Sequence, residues 1–142
     1  MSTKYKYNPI EDKWDLVKDN VPPFFPQSAQ TTDGTPTVVS GSLPVAEDSS
    51  INFKTRVAAL QSAGGANDTA FFELLGTIKN IGGTTTISNV TKIDIQREAG
   101  AALWDFDAAA NDSTDTLDIT VTGEAAKTIE WKIETYYTEV TL

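Results

Sequence analysis

The stretch LDITVTGEAAKTIEWKIETYYTEVTL, residues 117–142, decides the fold. Apolar residues alternate with polar ones in two runs, whose apolar members are Leu117, Ile119 and Val121 and then Ile129, Trp131 and Ile133. Alternation with a period of two is typical of a β-strand that buries one face. Residues 123–127 are glycine and small or polar residues, so the sequence predicts a hairpin closed by a loop of about five residues. We expect Trp131 to face the core, and removal of this segment to unfold the protein.

The last predicted strand also carries two adjacent tyrosines, Tyr136 and Tyr137. Neighbouring residues of a strand lie on opposite faces, so one of the two is expected to be exposed or at an interface. The same reasoning applies to Leu103 and Trp104. Exposed aromatic side chains stack on sugar rings and also anchor protein interfaces. We therefore assign Tyr136 to an oligomer interface or a receptor interface, and both alternatives remain open.

Strand signals extend upstream, through residues 51–142. Runs of β-branched and aromatic residues are separated by turn formers such as Gly64-Gly65 and Gly82-Gly83. Seven strands are predicted, the first beginning near residue 51 and the others at 71–81, 84–87, 91–97, 103–108, 116–122 and 128–140. This spacing predicts an all-β domain, an antiparallel β-sandwich that is jelly-roll-like or immunoglobulin-like. Residues 53–63 also contain good helix formers, but their β-branched start and the glycines that follow favour a strand.

Residues 21–50 differ in composition from the predicted sandwich. Five of the six prolines fall here, at Pro22, Pro23, Pro26, Pro36 and Pro44. Proline resists both helix and central strand, so this segment is predicted to be an extended linker with one edge strand at residues 37–39. Phe24 and Phe25 are unexpected in a linker. They indicate that this segment packs against a surface, either that of a partner or that of the chain's own domain.

Residues 1–20 are predicted to form an N-terminal anchoring arm. Asn8-Pro9 initiates a turn between two short alternating pieces, which suggests a small hairpin. Its apolar members are Tyr5, Tyr7, Trp14 and Leu16. A two-stranded hairpin is marginally stable alone in water, so we expect these side chains to rest on another surface, in the same domain or on a neighbouring subunit.

The composition excludes several kinds of chemistry. The chain contains no cysteine, which rules out disulfides and thiolate zinc sites, and no histidine, which removes the usual general base and the commonest metal ligand. The formal net charge of −9 argues against binding nucleic acid through its phosphates. Acidic residues dominate from residue 101 onward, whereas the first eighteen residues are mildly basic. A basic arm suits an acidic partner, although an ordinary solvated terminus gives the same pattern.

The densest polar cluster, DFDAAANDSTDTLD at residues 105–118, is a candidate cation site because calcium takes oxygen ligands. Its spacing departs from that of an EF-hand: the sixth position is Ala110 instead of glycine and the twelfth is Thr116 instead of glutamate. A solvated loop with Asx turns explains the cluster more simply. Paired carboxylates of the glycosidase type and glycine-rich phosphate loops have no distinguishing pattern here. We expect no catalytic residue and no metal or other cofactor.

No apolar run approaches the roughly 20 residues of a membrane span, and the N-terminus lacks the apolar core of a secretory signal. We therefore expect no membrane insertion and synthesis in the cytoplasm.

Several pieces of the chain resemble a known group of proteins. Residues 70–140 resemble the β-rich terminal domain of tail-fibre, head-fibre and related virion proteins of tailed bacteriophages. The most similar pieces are ELLGTIKNIGGT (73–84), LWDFDAAANDSTDTLDITVTGEAAKTIEW (103–131) and TEV (138–140). The opening YKYNPIEDKWDLV (5–17) resembles a short motif at the start of phage structural proteins. Unlike most fibres, this chain has no long repetitive shaft.

The resemblance implies a non-enzymatic structural protein on the virion surface, made in the host cytoplasm. Its short length suits a capsid decoration or short head-fibre subunit. The resemblance also implies assembly from identical copies, most commonly as a homotrimer. The N-terminal arm would then bind other virion proteins of the capsid or tail, through Tyr5, Tyr7, Trp14, Leu16, Phe24 and Phe25. The alternative that the resemblance leaves open is a tail-fibre-associated module that binds a carbohydrate or receptor, with a host-surface glycan as a further partner.

Overall fold

The computed structural model describes residues 2–8, 13–19 and 24–142, with side chains from 24 onward. The strands are β1 Ser2–Asn8, β2 Lys13–Asp19, β3 Phe24–Thr31, β4 Thr37–Val38, β5 Leu43–Pro44, β6 Ser49–Ala63, β7 Thr69–Ile81, β8 Thr84–Arg97, β9 Asp105–Asn111, β10 Thr116–Thr122 and β11 Thr128–Thr141. A short 3₁₀ helix, Ala99–Ala101, precedes β9. The expectation of an all-β fold is confirmed. Within the described residues, no helix is long and apolar enough to cross a membrane.

Two antiparallel sheets form the domain. The larger has the strand order β3-β11-β6-β7-β8, and in the smaller β10 pairs with β4 and β5 and with β9. Strands β6, β7 and β8 make a meander, and the last strand returns to lie between β3 and β6. The two sheets face each other across one apolar core, as the alternating burial along β6, β10 and β11 requires.

The predicted terminal hairpin is wrong in its pairing. The alternation along both strands is as expected, with Ile119 and Ile133 fully buried. However, β10 belongs to the smaller sheet and β11 to the larger one. Residues 123–127 therefore form an arch that carries the chain from one sheet to the other. The apolar faces of the two strands meet across the core instead of lying side by side.

Aromatic contacts between the sheets anchor this core. The Phe72 ring on β7 stacks on the Phe106 ring on β9, with centroids 4.2 Å apart. Trp104, just before β9, lies 6.1 Å from Trp131 on β11, centroid to centroid. Both tryptophans are 1% exposed, so the prediction that Trp131 is buried is confirmed. Leu103, by contrast, is 69% exposed, as expected for its position beside Trp104.

Two details of the strand prediction differ from the structure. Residues 53–63 lie within β6, so the strand interpretation is confirmed over the helix. The strands predicted at 84–87 and 91–97 are one strand, β8, interrupted by an irregularity in its pairing with β7 around Leu75 and Thr77. Asn89 has a positive φ of 50° at this point, a conformation that asparagine tolerates better than most residues. The sequence break at that position is therefore a bulge within one strand.

The interpretation of the proline-rich segment as a linker needs correction from residue 24 onward. Phe24–Thr31 is a strand of the larger sheet, paired along its length with β11. Val39, Leu43 and Val45 are buried in the core. Proline does not prevent this, because β3 lies at the edge of its sheet, and an edge strand tolerates proline at positions whose N–H would face away from the neighbouring strand. The predicted edge strand at 37–39 is present as β4.

The N-terminal hairpin is present as a separate two-stranded sheet. β1 pairs with β2 in an antiparallel register that sets Tyr5 opposite Leu16 and Tyr7 opposite Trp14. Pro9, and with it the predicted Asn8-Pro9 turn, lies outside the described residues, as do residues 20–23 of the predicted linker.

Candidate functional site

The candidate site lies on the outer face of the larger sheet. The residues of β6, β7 and β11 that point away from the core stand opposite one another in rows. In one row Tyr136 of β11 lies opposite Lys54 of β6, which lies opposite Leu75 of β7. The next row holds Glu134, Arg56 and Glu73. Directly opposite side chains in an antiparallel pair lie about 5 Å apart at Cβ, so the register brings these groups together.

A depression of about 340 Å³ opens between these rows. Its lining consists of Lys54, Arg56, Phe71, Glu73 and Tyr136. Phe71, Glu73 and Tyr136 are half-buried, whereas Lys54 and Arg56 are exposed. The more buried part of the lining therefore combines two aromatic rings with a carboxylate, and the exposed part is basic. This combination differs from the apolar interior of the sandwich on the opposite face of the same strands.

Arg56 occupies a distinctive position in the depression. Its guanidinium carbon lies 5.0 Å from the centroid of the Phe71 ring, a cation–π arrangement. The carboxylates on either side of it have other partners: Glu73 pairs with Lys54 at 3.0 Å, and Glu134 accepts a hydrogen bond from the Tyr136 hydroxyl at 3.1 Å. Within residues 24–142, Arg56 makes neither an ion pair nor a side-chain hydrogen bond. In that part of the chain its N–H groups therefore have no partner.

A second aromatic pair borders the depression. The rings of Phe24 and Tyr136 lie 5.2 Å apart at their centroids and are inclined by 39°. Phe24 is 46% exposed. The Tyr136 hydroxyl bonds to Glu134, which fixes the direction of the ring. The first residue of β3 and the outer face of β11 thus present two aromatic rings to solvent.

The sequence-predicted site residues divide into three groups. Tyr136 lies on the outer face, as predicted, and Tyr137 packs against the core. Phe25 also packs against the domain's own core, which is the alternative left open for the Phe24-Phe25 pair. The side chains of the other arm residues, Tyr5, Tyr7, Trp14 and Leu16, lie outside the described part of the chain. Their role, and the partner of Tyr136, stay predictions.

Sequence reasoning missed Arg56, Phe71 and Glu73. Lys54 and Arg56 do alternate with buried residues of β6, so their exposure was visible in the pattern. Their proximity to Phe71 and Glu73 depends on the register between β6 and β7, which no local pattern specifies.

The acidic segment 105–118 is mainly structural. Asn111 Oδ1 accepts hydrogen bonds from the backbone N–H groups of Ser113 and Thr114, which is the expected Asx turn. Asp112 and Asp115 both accept hydrogen bonds from Thr85 at the start of β8, at 2.6 and 2.7 Å. These contacts fasten the β9–β10 turn to the larger sheet. Among the described residues, no group of three or more acidic side chains is able to hold a metal ion.

Two carboxylates of this segment have shifted pKa values. Burial would raise the pKa of Asp118, but hydrogen bonds from Thr116, Ser42 and Asn111 outweigh that effect and lower its pKa. Burial likewise opposes ionisation of Asp105, yet the Phe106 N–H and the Lys92 ammonium lower its pKa. Both groups are therefore held in the charged form, which suits a structural hydrogen-bond acceptor and not a general acid.

A larger groove, of about 510 Å³, lies beside β3. It is lined by Pro26, Gln27, Ser28, Ser40, Lys132, Ile133 and Glu134. The Gln27 amide in its wall already donates to the carbonyl oxygens of Val39 and Ser40. With no aromatic ring in its lining, this groove offers less to a ligand than the depression at Arg56.

No protein-family model matches the sequence, and no curated protein matches it significantly. Among solved structures, the chain is similar to the tailspike protein of an Acinetobacter phage, with a TM-score of 0.45 and 20% sequence identity. The alignment covers 81% of this chain and 21% of the tailspike chain. The chain thus spans about a fifth of the length of that protein.

Proposed function

We propose that the protein is a non-enzymatic structural component of a bacteriophage particle, a capsid decoration or short head-fibre subunit. In this proposal the β-sandwich projects from the particle surface, and the N-terminal hairpin attaches it to other virion proteins. The sequence resemblance of residues 5–17 and 70–140 to phage virion proteins supports this function.

The observation that carries the anchoring role is the register of the N-terminal sheet. The register sets Tyr5 opposite Leu16 and Tyr7 opposite Trp14. A hairpin of this size is marginal in water without another surface to rest on. A separate two-stranded sheet whose paired positions hold aromatic and apolar residue types is therefore suited to docking.

Deletion of residues 2–20 tests this role. We expect the shortened chain to give the circular dichroism spectrum of a folded β domain but to be missing from particles of the phage that encodes it. A sharper pair of variants is Tyr5→Ser with Tyr7→Ser, against Lys4→Ser with Lys6→Ser at the alternating positions of the same strand. The first pair should lower incorporation strongly and the second should not. Normal incorporation of the deletion variant would exclude anchoring by the hairpin.

The proposed assembly is a homotrimer, and the exposed edge strand β8 supports association between copies of the chain. This strand of fourteen residues lies at the edge of the larger sheet. Ile93 and Ile95 on it are 37% and 43% exposed. A long edge strand with exposed apolar residues is a site of pairing with another chain unless something covers it. Symmetric association of identical subunits would cover it.

Size-exclusion chromatography with light scattering tests the assembly. We expect a mass three times that of the 15.3 kDa chain, and a monomer for Ile93→Lys with Ile95→Lys. Leu60→Lys, at an exposed leucine on β6, which β7 separates from β8, is the matched control and should remain trimeric. A wild-type monomer at high concentration contradicts the proposal.

A second candidate function is binding of a glycan on the host surface. The observation that favours it is the depression lined by Arg56, Phe71 and Tyr136, since aromatic rings beside polar groups are suited to a sugar ring. This function is compatible with a projecting domain. It is tested by glycan binding to the wild type and to Tyr136→Ala.

A further inference from the structure

We propose that the depression lined by Lys54, Arg56, Phe71, Glu73 and Tyr136 binds a carboxylated saccharide, such as a uronic acid residue of a host polysaccharide. The inference rests on the second candidate function and adds the class of sugar and the residue that selects it. In this site Arg56 binds the sugar carboxylate, and the aromatic rings contact the apolar face of the sugar.

The argument begins with Arg56. The Arg56 guanidinium carbon lies 5.0 Å from the centroid of the Phe71 ring, within the range of a cation–π contact. A guanidinium presents its N–H groups as a planar fork, which matches a carboxylate with two parallel hydrogen bonds. Because the contact with Phe71 restricts the group, its position is partly set before the ligand arrives. Preorganisation of this kind lowers the entropy cost of binding.

The two carboxylates beside Arg56 favour a carboxylate ligand over a phosphate. Glu73 and Glu134 lie directly opposite Arg56 on its two neighbouring strands. Lys54 pairs with Glu73 at 3.0 Å, whereas within residues 24–142 Glu134 has the Tyr136 hydroxyl as its one side-chain partner. A doubly charged phosphate would be repelled more strongly by these groups than a singly charged carboxylate. The carboxylate oxygens of Glu73 and Glu134 are also acceptors for the hydroxyl groups of a sugar. A simple carboxylic acid has no such hydroxyl groups to donate.

The aromatic surface provides the second part of the site. Tyr136 lines the depression and its ring is paired with that of Phe24. The C–H face of a pyranose packs on such a surface, so a saccharide is favoured over a small carboxylic acid. Tyr136 is a diagonal neighbour of Arg56 across the β11–β6 pair, and diagonal neighbours lie about 7–8 Å apart, which sets the separation between the aromatic contact and the carboxylate contact along the ligand.

The charge of the rest of the domain favours this face for an anionic ligand. Residues 24–142 contain 7 basic and 16 acidic residues, a difference of −9. Of these, the four bases Lys54, Arg56, Lys79 and Lys132 and the three acids Glu73, Glu130 and Glu134 lie on outward positions of β6, β7 and β11. This face is therefore close to neutral in an otherwise acidic domain, and long-range repulsion of an acidic saccharide is weaker here.

Isothermal titration of the full chain with trigalacturonate and with neutral galactotriose tests the proposal. We expect trigalacturonate to bind at least tenfold more tightly than galactotriose. Arg56→Gln should lower the affinity for trigalacturonate at least tenfold, the effect of losing one charge-assisted contact of about 1.4 kcal/mol. Arg56→Lys should recover little of it, since lysine lacks the bidentate edge. Lys79→Gln, an exposed cation on the outer side of β7, is the matched control and should bind as the wild type does.

The outcomes distinguish the preference for a carboxylated sugar from glycan binding in general. Equal binding of both trisaccharides, lost in Tyr136→Ala, would overturn the carboxylate preference and leave glycan binding intact. An equal loss in Lys79→Gln and Arg56→Gln would mean general charge attraction and would also overturn the site. Binding of neither trisaccharide at millimolar concentration would count against both this site and glycan binding by this face. Circular dichroism of each variant establishes that it is folded.

Discussion

Trp131 on β11 donates its indole N–H to the hydroxyl Oγ1 of Thr31 on β3, at 2.9 Å. Both residues are buried, and they are 100 positions apart in the sequence. The bond joins the last strand to the strand that begins the described domain. The proline-rich region is thereby tied into the core at its centre, which is why it behaves as part of the domain and not as a spacer.

Thr31→Val should destabilise the domain by about 1–3 kcal/mol, because valine preserves the shape of the side chain but leaves the buried indole N–H without an acceptor. The midpoint of urea unfolding, followed by circular dichroism, measures the loss. Thr138→Val on the exposed part of β11 is the control and should change stability by less than about 0.5 kcal/mol. Equal midpoints for the two variants would show that the bond contributes nothing.

Arg97→Lys should cost about 2 kcal/mol and loosen the connection between β8 and β9. The Arg97 guanidinium donates to the carbonyl oxygens of Ala101, Ala102 and Trp104 at 2.6–3.0 Å. Its Nε also bonds to Asp94 at 2.9 Å. A lysine ammonium is unable to reproduce this fork. Hydrogen exchange of the backbone amides of residues 98–104 should quicken.

Arg56→Lys provides the matched comparison for Arg97→Lys, since Arg56 is exposed and makes no such bonds within residues 24–142. Its unfolding midpoint should stay near that of the wild type. If the two substitutions shift the midpoint equally, Arg97 does not organise the connection.

Gly123→Ala should destabilise the arch between the sheets by about 1–3 kcal/mol, the usual cost of overpacking. Gly123 is buried, and an added Cβ would clash with the Thr31 hydroxyl and approach the Asp33 carbonyl oxygen to 2.9 Å. Neither neighbour moves easily, because one is bonded to Trp131 and the other is backbone. Gly34→Ala, whose added Cβ has no closer neighbour than 3.9 Å, should be neutral or slightly stabilising. Thermal unfolding of both variants distinguishes these cases.

Asp118→Asn should lower stability at neutral pH but not in strong acid. Because folding lowers the pKa of Asp118, its ionised form stabilises the folded state at every pH above the unfolded value of about 3.9. That contribution is lost as the pH falls through the folded-state pKa. Unfolding midpoints measured from pH 7 to pH 2 should therefore converge for wild type and variant. Glu47→Gln, at an exposed position, should run parallel to the wild type, and a constant gap for Asp118→Asn would contradict the assignment.

The burial pattern of the domain was predictable because it is local. Trp131 is buried and Tyr136 faces outward as expected, since alternation records only that one face of a strand meets the core. The same locality explains the error about the hairpin. Alternation along β10 and β11 is identical whether the strands pair with each other or belong to opposite sheets.

The remaining errors concern long-range register. Pro26 argued against a strand. A strand tolerates proline when it lies at the edge of a sheet, as β3 does. No single segment of the sequence specifies the order of strands in a sheet. The site at Arg56 escaped prediction for a related reason. Its neighbours Phe71 and Glu134 come from strands separated from it by 15 and 78 positions, and only the assembled sheet brings them together.

The place of β11 in the larger sheet also governs when the domain can fold. β11 lies between β3 and β6, yet it follows every other described strand along the chain. During synthesis β3 and one side of β6 must wait without partners until residues 128–141 have been added. Folding of the sandwich therefore waits until β11 has been translated. Until then, the unpaired edges of β3 and β6 are exposed to neighbouring nascent chains, and strands of different chains can pair with each other.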